Sequence, residues 1–294
     1  YSLFFSESEQ EMAAVTEYFS GLKQGANGRP LFQCCRTTGR VQALKAAFSG
    51  KHLFLLRNPW DQWWSYKNDQ YFSSRNLLIS SGRDIPPFIQ QLKQMIGLPP
   101  LTKVSDQAAQ AYCLNRRLDA QANYVLFYAL WCHAVLEAMP HCDLTVDIDD
   151  LSESQEYRDS MLRQMSDIGL DQLDFSDCQV ARAAYAELDW AFFSRCEDQV
   201  HAALQQHGYS ESQLAPLYQH SQRRQLRLVD SAAVEYSAVR DAMRAREHAL
   251  QMENELSEMQ KQVFSERAQQ QQLERRAKSA ELKLKQLGAS RVKH

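Results

Sequence analysis

Arg57 and Ser65 stand eight residues apart in the segment HLFLLRNPWDQWWSY, residues 52–66. An arginine presents a fixed fork of N–H donors and a serine a rotatable hydroxyl, the pair of groups suited to gripping a phosphate. The apolar run at 52–56 before them reads as a buried strand of a parallel sheet. Asn58 is a good helix cap, Pro59 is favoured at a first helical position, and Asp61 suits a first turn. A helix therefore starts at Pro59, and its free N–H groups and dipole point to where Arg57 leaves the strand. That is an anion site at the carboxyl end of a strand, where open α/β sheets place ligands. Arg57, Asn58 and Ser65 are its candidate binding residues. On these residues alone, a capped helix with a structural arginine fits equally well.

If a group is transferred there, an acceptor hydroxyl needs a base to take its proton. The candidates are His133, His141, Glu7, Glu9 and Glu11. His133 lies on an aromatic-rich helix and is the candidate carried forward as catalytic. Cys132-His133 and His141-Cys142 do not make a metal set, since one pair is mid-helix and the other begins a strand, so no metal is expected. The chain has no GxxxxGK[ST] phosphate loop, no Ser-His-Asp arrangement and no glycine-rich dinucleotide fingerprint. Trp60, Trp63, Trp64, Tyr66, Tyr71 and Phe72 offer either a sugar-stacking wall or, at helical spacing, core.

The elements that must hold these residues read as α/β. Residues 10–23 carry Met12, Val15, Phe19 and Leu22 on one helical face, and GANGRP at 25–30 is turn chemistry. Residues 31–35 read as a strand, 40–48 as a helix and 52–56 as the next strand, a right-handed βαβ unit. A short helix is expected at 88–96 and a long one at 107–138. Residues 144–148 are a further strand, left through Asp149-Asp150-Leu151, with helices at 153–167 and 188–206.

Composition sets the outer limits. The 294 residues are 44% hydrophobic and 10% aromatic, enough for one large core plus an appendage. A formal charge of −3 with no basic block gives no reason to expect nucleic acid as a partner. Seven cysteines without a CxxC pair read as buried thiols of a reducing compartment, so the expected location is cytoplasmic. No apolar run approaches the roughly 18–20 residues that cross a bilayer, so no transmembrane segment is expected.

The spelling around Arg57 resembles that of the PAPS-dependent sulfotransferases, bacterial and carbohydrate members above all. In that family a strand ends in Arg-x-Pro and a serine follows at the spacing of Arg57 and Ser65. RPLFQCCRTTGRVQALKAAF (29–48) is similar to the preceding strand and helix, CDLTVDIDDLSES (142–154) to a later strand and its exit, and IGLDQLDFSDC (168–178) to the segment beyond. The resemblance covers about residues 20–180. It implies a P-loop-like parallel sheet flanked by helices. It also implies PAPS (3′-phosphoadenosine 5′-phosphosulfate) as co-substrate, with Arg57 and Ser65 on its 3′-phosphate. The implied reaction is transfer of a sulfonate to a hydroxyl of a glycan or small-molecule acceptor. Where cytosolic members carry Lys and His, this chain has Cys34 and Arg36. Arg36 is closer to the carbohydrate enzymes and is expected to neutralise the moving sulfonate, because a guanidinium does not act as a base. The family's phosphosulfate loop matches nothing in 1–294. It is expected before Tyr1, so the sheet reads as N-terminally incomplete, and residues 1–294 alone are expected to be inactive.

From about residue 230 the pattern changes. Fourteen positions from 242 to 287 step alternately by three and four, and all are apolar except Glu266 and Gln270. A heptad repeat of this length predicts a C-terminal α-helical coiled coil, with a long helix packed on the domain as the other reading. The domain reading is therefore 1–220 for the sulfotransferase-like part and 221–294 for the tail, which would form a homo-oligomer or dock to another assembly. The alternative function is a non-catalytic scaffold with a degenerate sulfotransferase fold whose coiled coil does the work.

Overall fold

The computed structural model describes residues 4–5, 8–34, 37–67, 70–99, 101, 106–180, 185 and 187–227, then 252, 256–260, 262–263, 266 and 270. The chain divides into two units, Tyr1–Ser237 and Ala238–His294.

The first unit is dominated by helices. Among the described residues these are α1 (Glu9–Gln24), α2 (Val41–Ala47), α3 (Pro59–Lys67), α4 (Gln70–Ile79), α5 (Pro87–Met95), α6 (Asp106–Asn115), α7 (Ala120–His133), α8 (Ile148–Glu153), α9 (Gln155–Asp167), α10 (Glu187–Gln206) and α11 (Glu211–Arg227). Between α2 and α3 lies β1 (Leu53–Leu56), and between α7 and α8 lies β2 (Leu144–Asp147). The two strands pair in parallel, Leu53 with Leu144 through to Leu56 with Asp147.

This corrects the expected P-loop-like sheet. The described sheet has two strands only. Residues 31–34, expected to be in a strand, have no regular structure, and Leu31 is 87% exposed. The partners of this segment explain why. Phe32 packs its ring on Phe19 of α1, and Arg29 Nη1 donates to the Gly169 carbonyl at 2.7 Å just beyond α9. Its apolar and polar contacts thus go to helices and loops, with no strand beside it among the described residues. Nor is β1 buried on both faces: Leu56 is buried but Leu55 is 59% exposed.

The helix at the centre of the core is α7. Its sequence AQANYVLFYALWCH is apolar nearly all round, which makes it a central helix. Asp119 caps it, accepting from Ala122 N at 2.7 Å, and this cap divides the expected 107–138 helix into α6 and α7. Against α7 packs α10, through edge-to-face contacts such as Tyr124 with Phe193 at 4.9 Å; Trp63 of α3 joins the same cluster, 5.1 Å from Tyr124. At the amino end of the sheet, Asp143 accepts from His52 N at 2.9 Å and meets Lys45 at 3.2 Å, closing the side away from Arg57.

In the second unit the described residues are helical. Met252, Leu256, Met259 and Val263 are 56, 53, 56 and 48% exposed. The other heptad positions of the expected coiled coil, before 252 and after 270, lie outside the described residues. Among the described residues no helix is long and apolar enough to cross a membrane.

Candidate functional site at the carboxyl end of the sheet

The chain leaves β1 through Arg57 and Asn58 and turns at once into α3. Asn58 makes the turn. Its side-chain oxygen accepts from Asp61 N at 2.9 Å, the capping contact that the sequence predicts. Its Nδ2 donates to Asp61 Oδ2 and to Asp149 Oδ2, each at 2.9 Å, and its backbone N–H donates to Asp149 Oδ2 at 2.7 Å. All of this is buried. The amide and N–H of Asn58 are therefore committed to the fold, and Asn58 is a positioning residue here.

Arg57 and Ser65 do come together. Arg57 Nη1 lies 3.4 Å from Ser65 Oγ, at the outer edge of hydrogen-bonding range, and Ser65 Oγ also donates to the Gln62 carbonyl at 2.8 Å. Ser65 is exposed and Arg57 half-buried. The backbone beneath them is pinned from α7, where Trp131 Nε1 donates to the Arg57 carbonyl at 3.0 Å. A guanidinium from the end of β1 and a hydroxyl from the second turn of α3 thus lie side by side, on a backbone tied to the central helix.

The exit of β2 is built differently. Asp147 caps α8, its Oδ1 accepting from Asp149 N at 3.0 Å and Asp150 N at 3.1 Å. Its backbone N–H donates to the Tyr157 hydroxyl at 2.9 Å. Arg223 of α11 reaches over this end, with Nη1 2.7 Å from Asp147 Oδ2 and Nη2 3.0 Å from Asp150 Oδ2. Burial pushes the Asp150 carboxyl up, and Asp147 beside it adds to this, while Arg223 opposes it. One turn back on α11, His220 sets its ring edge-on to Trp131 at 5.1 Å. Burial and then the Arg223 charge hold the His220 imidazole below its usual range.

His133 does not belong to this arrangement. It lies two residues beyond Trp131, about 200° further round the helix, so it faces away from Arg57. There its ring meets Phe5 at 4.9 Å, and burial lowers it to about 4. It is neutral at pH 7 but enclosed and weakly basic, a core histidine and not the base expected of it. Arg36 lies outside the described residues.

Sequence reasoning missed Arg223, Asp149 and Glu197. Asp149 carried a signal, an acidic residue one step past a strand. Arg223 had none, being 76 residues from its partner Asp147. Glu197 is buried between α7 and α3, where Oε1 accepts from Trp60 Nε1 at 2.9 Å and the Tyr124 hydroxyl at 2.8 Å. Among the described residues no group of His, Cys, Asp and Glu could hold a metal ion. No family model, no curated protein and no solved structure matches this chain.

Proposed function

We propose that the carboxyl end of β1 grips the 3′-phosphate of PAPS, and that the chain serves transfer of a sulfonate from PAPS to a hydroxyl of a glycan or small-molecule acceptor. One observation carries this reading: Arg57 Nη1, at the end of β1, and Ser65 Oγ, in the second turn of α3, meet at 3.4 Å. A phosphate beside this pair would receive the Arg57 fork and, once Ser65 swings from Gln62, a hydroxyl donor. The N-terminus of α3 adds its dipole. Asn58 supports the grip from below and gives the phosphate nothing directly. Among the described residues nothing matches these two on a 5′-phosphosulfate, so the reading concerns how the nucleotide is held.

The test is calorimetric titration of the 294-residue chain with adenosine 3′,5′-bisphosphate. Saturable binding is expected, weakened at least about 100-fold by Arg57→Ala, the effect of removing a charged bidentate partner. Absence of binding by the wild type would sink the proposal.

A non-catalytic scaffold is the second reading, and one observation favours it. The exit of β2 is filled by the chain's own Arg223, Asp147 and Asp150, as in a structural ion network. A chain without nucleotide binding in the same titration would leave the scaffold reading, and a scaffold that binds nucleotide would show no sulfonate transfer.

A further inference from the structure

Lys93 stands where the helical pattern of α5 needs an apolar residue. Phe88, Ile89, Leu92 and Lys93 form the buried face of PFIQQLKQM, with Lys93 four residues after Ile89. It is 6% exposed, so its ammonium is not led out to water along the side chain. Its Nζ lies 3.1 Å from the Ser81 hydroxyl, and among the described residues no carboxylate forms an ion pair with it. A buried lysine is normally paired. One that is not lowers the stability of the fold, and such departures from the core pattern gather at working sites. We propose that Ser81 is a nucleophile and Lys93 its general base, a pair that takes the acyl group from carboxylic esters whose acyl part is apolar.

The placing of the two groups fits these roles. Ser81 sits in the turn that closes α4, its N–H donating to the Leu78 carbonyl at 3.2 Å. It is half-buried, the more open of the two, and the buried amine stands beside it. The loop from Ser81 to α5 is tied down. Arg83 Nη1 meets Glu11 of α1 at 3.2 Å, and Gln90 Nε2 donates to the Ile85 carbonyl at 2.8 Å. Burial holds the Lys93 ammonium below its usual range, with Cys113 opposing this, so more of it is the free amine that accepts a proton. Cys113 of α6 hydrogen-bonds with Ser81, but it is fully buried and burial pushes its thiol up. It therefore stays protonated and serves as neither counter-ion nor nucleophile. Cys113 packs with Leu78, Leu98 and Ile96, an apolar setting in which a charged acyl group would lie unpaired. Ser80 is no rival, being fully buried with its hydroxyl donating to the Leu77 carbonyl at 3.0 Å.

In the step itself the neutral Lys93 amine takes the Ser81 hydroxyl proton as Oγ bonds to the ester carbonyl carbon. The bond from that carbon to the alcohol oxygen breaks, and the Lys93 ammonium returns the proton to the departing alkoxide. Water then repeats the sequence on the acyl-Ser81 ester, releasing a carboxylic acid and restoring both residues. No residue of the Arg57 site takes part.

Reaction of the folded 294-residue chain with an alkyl fluorophosphonate tests this, read by intact mass and peptide mapping. Ser81 Oγ displaces fluoride from phosphorus while Lys93 takes the proton. The expected result is one phosphonyl group on Ser81, none on Ser80, and none on Ser81 once the chain is unfolded in urea. Lys93→Met puts an apolar side chain on an apolar face, so it should fold with a urea midpoint no lower than wild type. Its Ser81 should label about 100-fold more slowly, the value of a general base. A folded wild-type chain without label on Ser81 overturns the proposal. So does a Ser81 that reacts equally fast in urea, or in folded Lys93→Met. Failure of adenosine 3′,5′-bisphosphate to bind would leave these outcomes as they are.

Discussion

The two strands of the sheet end side by side, Leu56 opposite Asp147, yet their exits hold opposite chemistry. After β1 the chain presents a cation and, from the second turn of α3, a hydroxyl, with Arg57 and Ser65 in loose 3.4 Å contact. After β2 it presents carboxylates, and Arg223 spans two of them at 2.7 and 3.0 Å. Neighbouring strand ends both lead into helices, and what separates them is the sign of the charge each presents. The β2 exit has committed its charges to holding α11. The β1 exit has committed Asn58 to holding itself together and keeps Arg57 beside an exposed hydroxyl.

The sharpest way to break this contrast is at the residue joining both ends. Asp149 sits on the β2 side but accepts both the backbone and side-chain N–H of Asn58. Asp149→Ala leaves two buried donors unsatisfied and should lower unfolding stability by about 3–4 kcal/mol, read from urea midpoints at constant m. A loss below about 1 kcal/mol would mean that the exits are not coupled through this carboxylate.

Acid should act next. His133 and His220 are neutral in the fold at pH values where an unfolded imidazole is charged. A lowered histidine gives stability that is full above its unfolded value of 6.5 and falls away as the pH drops through the window beneath it. His133, lowered to about 4, should account for about 3 kcal/mol lost between pH 6.5 and pH 4. His220, behind the filled exit, adds in the same direction. Asp150 acts in reverse, because a carboxyl raised above its usual 3.8 costs stability as the pH rises from there through its folded value. Urea midpoints across this range should show the loss, and His133→Leu should flatten most of it. An unchanged slope in that variant would contradict the burial of His133 as a neutral ring.

Two smaller effects sharpen the difference between the exits. Ser65→Ala should weaken adenosine 3′,5′-bisphosphate binding about tenfold with stability unchanged, the value of one hydroxyl donor on a charged phosphate. Arg223→Ala should do the opposite, costing about 1 kcal/mol of stability because its side chain is partly solvated, while leaving nucleotide affinity within about threefold. Binding lost in Arg223→Ala and kept in Ser65→Ala would reverse the assignment of the two ends.

Much of the β1 exit is legible in the sequence. An apolar run followed by Arg57-Asn58-Pro59 spells a strand, a cap and a helix start, because those signals are local. The extent of the sheet is not. Residues 31–35 and 53–56 look alike as short apolar runs, and only tertiary contacts decide that the described part of the first packs on α1 and the second pairs with β2. The same applies to His133. Its chemical type singles it out, whereas its place on the far face of α7 from Trp131 removes it from the site. Arg223 is hidden because an ion pair spanning 76 residues leaves no mark in local spacing.

The central claim is that the Arg57 end is a nucleotide phosphate grip. Calorimetric titration of the wild-type chain and of Arg57→Ala with adenosine 3′,5′-bisphosphate tests it most directly. Saturable one-site binding, weakened at least about 100-fold in Arg57→Ala with the fold intact by circular dichroism, is the expected result. No heat of binding in the wild type, or equal affinity in both proteins, would contradict it.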